Sequence, residues 1–189
     1  NGIEDNTIVV FMSDNGQPSN ASPNLPLRGH KITPYEGGIR VPMIMKWPGV
    51  ALPGTHCDQY LIIEDIFPTF LEMTGIQNYR QVGGKIDGES FVPLIRGDIK
   101  IRRERPIFWH FPHTYGHLPY STVRKGDWKL IYHHVGGKLE LFNIREDIGE
   151  KEDLSQINKA KLRELAEVLT AHLRETGALM PIHKETGKV

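Results

Sequence analysis

The stretch Thr7-Ile8-Val9-Val10-Phe11-Met12 is apolar without a break and rich in β-branched side chains. It lacks the two-residue alternation of a half-solvated strand, and it reads as a strand buried on both faces of a helix-covered parallel sheet. The run stops at Ser13-Asp14-Asn15-Gly16. In an open α/β sheet ligands bind outside the carboxyl ends of the strands, so an acid and an amide at this point pose a functional question. A strand that opens a parallel unit needs neighbours, and the chain starts with Asn rather than Met. It is therefore expected to be the tail of something longer.

The rest of the chain sets the frame around that strand. Val41-Pro42-Met43-Ile44-Met45-Lys46-Trp47 reads as a second strand, ended by Pro48-Gly49; Pro42 is tolerable at its start. Asp65 to Gly75 reads as a short helix that Asp65 can cap and Gly75 can end. Residues 76 to 105 are expected to be mostly loop, with a helical turn near Val92 to Arg96. From Pro106 the texture changes. Ile107 to Phe111 reads as a strand, and Thr122 to Val135 alternates with Trp128, Leu130 and Tyr132 on one face. Gly136-Gly137 suits a hairpin turn, and Lys138 to Phe142 returns with Leu139 and Leu141 inward. Leu162, Leu165, Ala166, Leu169, His172 and Leu173 then recur at helical spacing, with Asn158 as cap and Gly177 and Pro181 as stops.

This order predicts the end of an α/β domain followed by a small α+β subdomain, an antiparallel meander plus a long C-terminal helix. The boundary falls around residues 97 to 105, giving units 1–103 and 104–189. Lys plus Arg is 23 and Asp plus Glu is 23, so the formal net charge is zero; no nucleic-acid partner is expected. No apolar run reaches the ~18 residues a membrane span needs, and no membrane partner is expected. No basic-then-apolar leader opens the sequence, so no signal peptide is expected within it. The single cysteine, Cys57, cannot form an internal disulfide.

A carboxylate and an amide carbonyl are both hard oxygen donors of the kind Ca²⁺ or Mg²⁺ takes, so Asp14 and Asn15 are candidate metal ligands. Gly16 lets the backbone turn sharply enough for both side chains to converge. On these four residues alone the simpler reading is a turn, because Asp-Asn-Gly needs no metal to explain it.

The next segment carries more. Leu27 to Gly49, LRGHKITPYEGGIRVPMIMKWPG, joins the Ser-Asp-Asn-Gly stretch to a Gly-x-Lys, a Tyr-Glu-Gly-Gly-Ile-Arg-Val-Pro and a Trp-Pro-Gly. This series resembles the sulfatase family, within the alkaline-phosphatase-like superfamily. The likeness continues at DIFPTFLEMTGI (65–76), VRKGDWKLIY (123–132) and ELFNIREDIGEKEDLS (140–155), in the family's order and over nearly the whole chain. The resemblance implies hydrolysis of sulfate esters by a formylglycine nucleophile, with a divalent cation, usually Ca²⁺, held between paired N-terminal aspartates and a later Asp-Asn pair. Asp14 and Asn15 match that later pair, and Lys31 matches the lysine that contacts the sulfate. Lys31 is thus the candidate catalytic and substrate-binding residue; its alternative is a lysine that pairs with Glu36 or Asp14 and merely holds the loop.

The departures from the family pattern are equally specific. Cys57 sits in GTHCDQY, outside any Cys/Ser-x-Pro/Ala-x-Arg motif, and no serine here sits in one. The nucleophile, the paired aspartates and the family's mid-chain His and Lys are expected outside this chain, so the chain alone is expected to be inactive. A phosphodiesterase or phosphonate hydrolase of the same superfamily, or a non-catalytic sulfatase-like module, is the alternative. The expected substrate is a sulfate ester, with carbohydrate the favoured class, and the family's habit implies a periplasmic, lysosomal or extracellular setting. Self-association through the truncated sheet is also expected.

Other residues have plainer readings. Glu36 and Arg40 are expected to pair or cap in their glycine-rich loop rather than react. His110, His113 and His117, at irregular spacing around Pro112 and Gly116, fit no zinc-binding helix face. The resemblance places their loop near the active-site mouth, which makes His110 and His113 candidate sugar contacts. His133 and His134 point to opposite faces of one strand. Asn20-Ala21-Ser22 matches a glycosylation triplet.

Overall fold

The computed structural model describes residues 1–20, 23–76, 78, 86–98, 102–182 and 184–187. The glycosylation triplet therefore lies partly outside the described residues. The chain forms two compact units, one of residues 1–12 with 43–103 and the other of residues 13–42 with 104–189. The second half of the chain divides at Arg103/Glu104. Residues 13–42 cluster with the meander rather than with the strands on either side of them in sequence.

In the first unit, β1 (Val9–Met12) pairs antiparallel with β2 (Met43–Lys46), with Phe11 opposite Ile44 and Val9 opposite Lys46. This corrects the expectation of a parallel strand buried on both faces. Burial alternates along β1, and Phe11 and Ile44 are 68% and 67% exposed. A continuous apolar run allows burial on both faces but does not supply the layers that would cover them; here the two-stranded ribbon hides one face only. α2 (Ile66–Met73) follows, and Gly75, at φ 83°, ends it as Ile76 N–H returns to the Leu71 carbonyl. Asp65 does not cap this helix with its side chain. Its buried carboxylate instead accepts the backbone N–H of Ile62 and of Glu89, at 3.0 and 2.8 Å, and meets Arg103 at 3.0 Å. α3 (Val92–Ile95) is the expected helical turn.

In the second unit, β3 (Ile107–Phe111), β4 (Tyr120–Lys125), β5 (Trp128–His133) and β6 (Leu139–Asn143) form an antiparallel meander in that order. The stretch expected as one alternating strand from Thr122 breaks at Gly126-Asp127, where Gly126 takes φ 58° and Lys125 faces Trp128. α4 (Lys159–Glu175) starts where Asn158 Oδ1 accepts the Lys161 N–H at 3.1 Å. Its Leu165 and Leu169 pack on Val123, Leu130 and Leu141. Each such buried side chain contributes ~1.5–3 kcal/mol.

The opposite face of the sheet carries Tyr120, Ile131 and Phe142, against which Tyr35, Trp109, Phe111 and Ile148 pack. Period-two alternation sends Lys129 and Glu140 to this same face. Residues 13–42 thus belong with the meander because Tyr35 and its neighbours cover the face that α4 leaves open. Among the described residues no helix is long and apolar enough to cross a membrane.

Candidate active-site region

Residues 13–42 form a set of turns knitted together by close glycine contacts. Gly16 donates its N–H to the Gly38 carbonyl at 3.0 Å, and a Cβ on Gly16 would fall onto the Gly37 carbonyl oxygen. Gly37 donates to the Arg28 carbonyl at 2.7 Å, again with no room for a side chain. Lys31 N–H reaches the Gln17 carbonyl at 2.8 Å. The turn bearing Asp14 and Asn15 and the turn bearing Lys31 are therefore brought together by backbone bonds.

The side chains these turns present are uncommitted. Asp14 is exposed and Asn15 half-buried, and neither side chain has a hydrogen bond or ion pair among the described residues. Lys31 is exposed and pairs with neither Asp14 nor Glu36 among the described residues. The next residue, Ile32, takes φ 83°. That conformation is rare for a β-branched side chain, and such strain persists only where surrounding bonds impose it. Thr33 supplies some of them: its Oγ1 donates to the His30 carbonyl at 2.7 Å and accepts the His30 N–H at 3.1 Å.

Glu36 lies beneath this surface, at the start of α1 (Glu36–Ile39). It pairs with Arg40 at 3.5 Å, as expected, but also with Arg124 at 3.4 Å and with Lys129 at 3.0 Å. Lys129 has no exposed surface and also lies 2.8 Å from Glu150 Oε1. Glu150 Oε2 accepts the Glu36 N–H at 2.7 Å. Burial alone would raise the Glu36 carboxyl, but Lys129 and Arg124 outweigh it and hold the group below the usual carboxylate range. For Glu150 burial wins and pushes the carboxyl up. Sequence reasoning missed Lys129, Arg124 and Glu150. The signal for Lys129 was available, because a lysine between Trp128 and Leu130 must face the other side of a two-faced sheet.

A second polar hub stands beside the first. Glu140 accepts the Tyr35 hydroxyl at 2.9 Å, His133 Nε2 at 2.6 Å and Lys138 Nζ at 2.9 Å. Burial pushes its carboxyl up, yet the bonds from His133, Lys138 and Tyr35 outweigh this and bring it down to about 2. The Arg28 guanidinium lies 3.8 Å over the Tyr35 ring.

The histidine loop divides between the two faces of the sheet. His110 lies on the α4 side, with Nδ1 2.8 Å from Ser121 Oγ and Nε2 2.8 Å from the Leu179 carbonyl. Both of its ring nitrogens are occupied away from Lys31. His113 and His117 instead rest edge-on against Phe111 and Tyr120 on the opposite face. Between them, a Cβ on Gly116 would lie 2.9 Å from Ile32 Cδ1, so this loop abuts the turn that carries Lys31. The structure thus gathers Asp14, Asn15, Lys31 and the loop of His113, and sets His110 apart. No group of three or more His, Cys, Asp or Glu that could hold a metal occurs among the described residues.

A family model described as N-sulphoglucosamine sulphohydrolase, C-terminal, matches residues 30–178. The chain belongs to the sulfatase family. A sulfatase of Formosa agariphila is 36% identical over 169 residues, which cover 85% of this chain and 31% of the relative. Mouse N-acetylgalactosamine-6-sulfatase is 35% identical over 189 residues, covering 96% of this chain and 34% of its own length. Among solved structures, Ps i-CgsB in complex with k-i-k-neocarrahexaose superposes with a TM-score of 0.75 at 32% identity, over 89% of this chain and 36% of that one. This sulfatase chain thus has the family's alkaline-phosphatase-like fold and corresponds to its C-terminal region, spanning about a third of the relatives' length.

Proposed function

We propose that this chain supplies the sulfate-holding and part of the cation-holding surface of a sulfuric ester hydrolase that acts on sulfated carbohydrate. The observation that carries this reading is Lys31. It is exposed, has no ion-pair partner among the described residues, and stands beside a strained residue on a turn hydrogen-bonded to the Asp14-Asn15 turn. A compact ammonium suits a sulfate oxygen next to a cation, and donors fixed before reaction stabilise charge that develops on the ester oxygens.

Asp14 and Asn15 fit Ca²⁺ in kind, as uncommitted hard oxygen donors, and in number they supply two of the six to eight that Ca²⁺ takes. The other ligands and the formylglycine nucleophile belong to sequence outside this chain. When bound, the cation would polarise the ester oxygens. Carbohydrate is favoured as the substrate because the mouse relative is named for a sulfated sugar and the superposed structure holds an oligosaccharide. The loop of His113 and His117, against Ile32, is where a sugar ring beyond the sulfate would meet this chain.

The test is an NMR titration of the chain with inorganic sulfate and with N-acetylgalactosamine 6-sulfate. Both should shift the signals of Lys31 and its neighbours, and Lys31→Ala should weaken both by about tenfold, the effect of one lost charge contact. The melting temperature should stay unchanged, since the Lys31 side chain has no partner among the described residues and its backbone bond survives the substitution. Equal binding by Lys31→Ala defeats the assignment.

A further inference from the structure

The stretch Gly126-Asp127-Trp128-Lys129-Leu130-Ile131-Tyr132 contains a lysine that the proposed chemistry does not use. Lys129 is fully buried, an unfavourable place for an ammonium unless it is paired. It is paired twice, with Glu36 at 3.0 Å and Glu150 at 2.8 Å.

Glu150 holds both ends of the loop that carries Lys31. Its backbone carbonyl accepts Arg28 Nη1 at 2.9 Å, and its carboxylate accepts the Glu36 N–H at 2.7 Å. Glu150 itself takes φ 51°, which L side chains rarely adopt. Strain of this kind is kept only where neighbouring bonds impose it.

We infer that Lys129 and Glu150 are positioning residues for the sulfate-binding turn: their buried pair fixes α1 and Arg28, and these fix Lys31 and the Asp14-Asn15 turn. The path is continuous. From Glu36 the chain enters Gly37, whose N–H holds the Arg28 carbonyl. The Gly38 carbonyl accepts the Gly16 N–H, next to Asn15, and the Gln17 carbonyl accepts the Lys31 N–H. Each joint is a backbone hydrogen bond, and at Gly16, Gly37 and Gly38 there is no room for a side chain, so a shift of α1 displaces both turns together. The inference rests on the assignment of Lys31 to the sulfate. A lysine that served only the core would leave sulfate binding untouched once loss of stability is matched.

The experiment follows inorganic sulfate binding by NMR at the Lys31 amide, in the wild-type chain and in Glu150→Gln, which keeps an acceptor for the Glu36 N–H but loses the charge facing Lys129. Leu169→Ala, on the opposite side of the sheet, is the control for lost stability. Glu150→Gln should weaken sulfate binding about tenfold and move the Glu36 amide proton upfield, while Leu169→Ala leaves both unchanged at a comparable fall in melting temperature. If Glu150→Gln does not fold, Glu150→Asp, which keeps the charge and retracts the carboxylate, should show the same pattern. Wild-type affinity in the Glu150 variant, or an equal loss in Leu169→Ala, overturns the inference. If the wild-type chain shows no sulfate response at Lys31, the Lys31 assignment fails and this inference fails with it.

Discussion

Asp65 lies 3.0 Å from Arg103, and the two side chains are 0% and 6% exposed. The carboxylate also accepts two backbone N–H groups, from Ile62 and Glu89, and so ties together three stretches of chain. Glu150 does the same in the other unit, with Lys129 as its cation and Glu36 as its backbone donor. In both places a buried acid accepts backbone amides from a distant stretch of chain, and a buried cation lies beside it. Loops rich in glycine and proline carry many such amides, and an unpaired one costs about as much as a lost hydrogen bond.

Removing the cation from the first of these sites should be costly. Arg103→Leu leaves the Asp65 carboxylate in place without the charge at 3.0 Å. Breaking a buried pair from one side typically costs ~3–5 kcal/mol. Urea unfolding should show a loss of that order. A loss below ~1 kcal/mol, the scale of a surface pair, would mean that the backbone donors alone satisfy Asp65.

What could be read from sequence follows the range of the forces involved. α4 was legible because its cap, Asn158, and its leucine spacing are local. The meander was legible for the same reason, except at Gly126-Asp127, where alternation continues on both sides of a two-residue turn and hides the reversal. The β1 run was misread because burial depends on what covers a strand. Asp14 and Asn15 were singled out as hard oxygen donors at a strand end and, with Lys31, through resemblance to a family; the structure adds that their turns are bonded together. The ion cluster beneath them was not legible. Its Glu36–Lys129 and Glu36–Glu150 contacts span 93 and 114 positions, and no local pattern links such residues. His110 and His113 are close in sequence yet part to opposite faces, because strand β3 alternates and its end feeds a loop.

Acid should weaken the second unit through Glu140. The group titrates near 4.5 when free and is held down to about 2 in the fold. A carboxyl whose folded value is depressed contributes stability that is present above the unfolded value and is lost as pH falls through the folded one. The window therefore runs from about 4.5 down to about 2. Each unit of pKa difference corresponds to ~1.4 kcal/mol. Glu140→Gln should lower stability at neutral pH and flatten its fall across this window, as followed by urea midpoints at a series of pH values. An unchanged slope in the variant would show that other carboxyls account for the acid sensitivity.

The ribbon of β1 and β2 should make the chain associate. Phe11 and Ile44 stand directly opposite each other, so their side chains share one face, and they are 68% and 67% exposed. Val9 extends that face at 49% exposure. Fully burying one such side chain is worth ~1.5–3 kcal/mol, and among the described residues no further strand pairs with either edge of the ribbon, which offers backbone groups as well. A second copy of the chain can satisfy both at once, by pairing edge to edge and closing the apolar faces together. Light scattering should then show a mass that rises with concentration, and a hydrophobic dye should fluoresce in the dilute chain. The double variant Phe11→Ser with Ile44→Ser removes the apolar face but keeps the backbone edge. If apolar burial drives association, this variant should stay monomeric and lose dye binding. If edge pairing drives it, the variant should still associate while dye binding falls. A wild-type chain that stays monomeric at every concentration, with dye fluorescence equal to that of the variant, would mean that this face attracts no second copy.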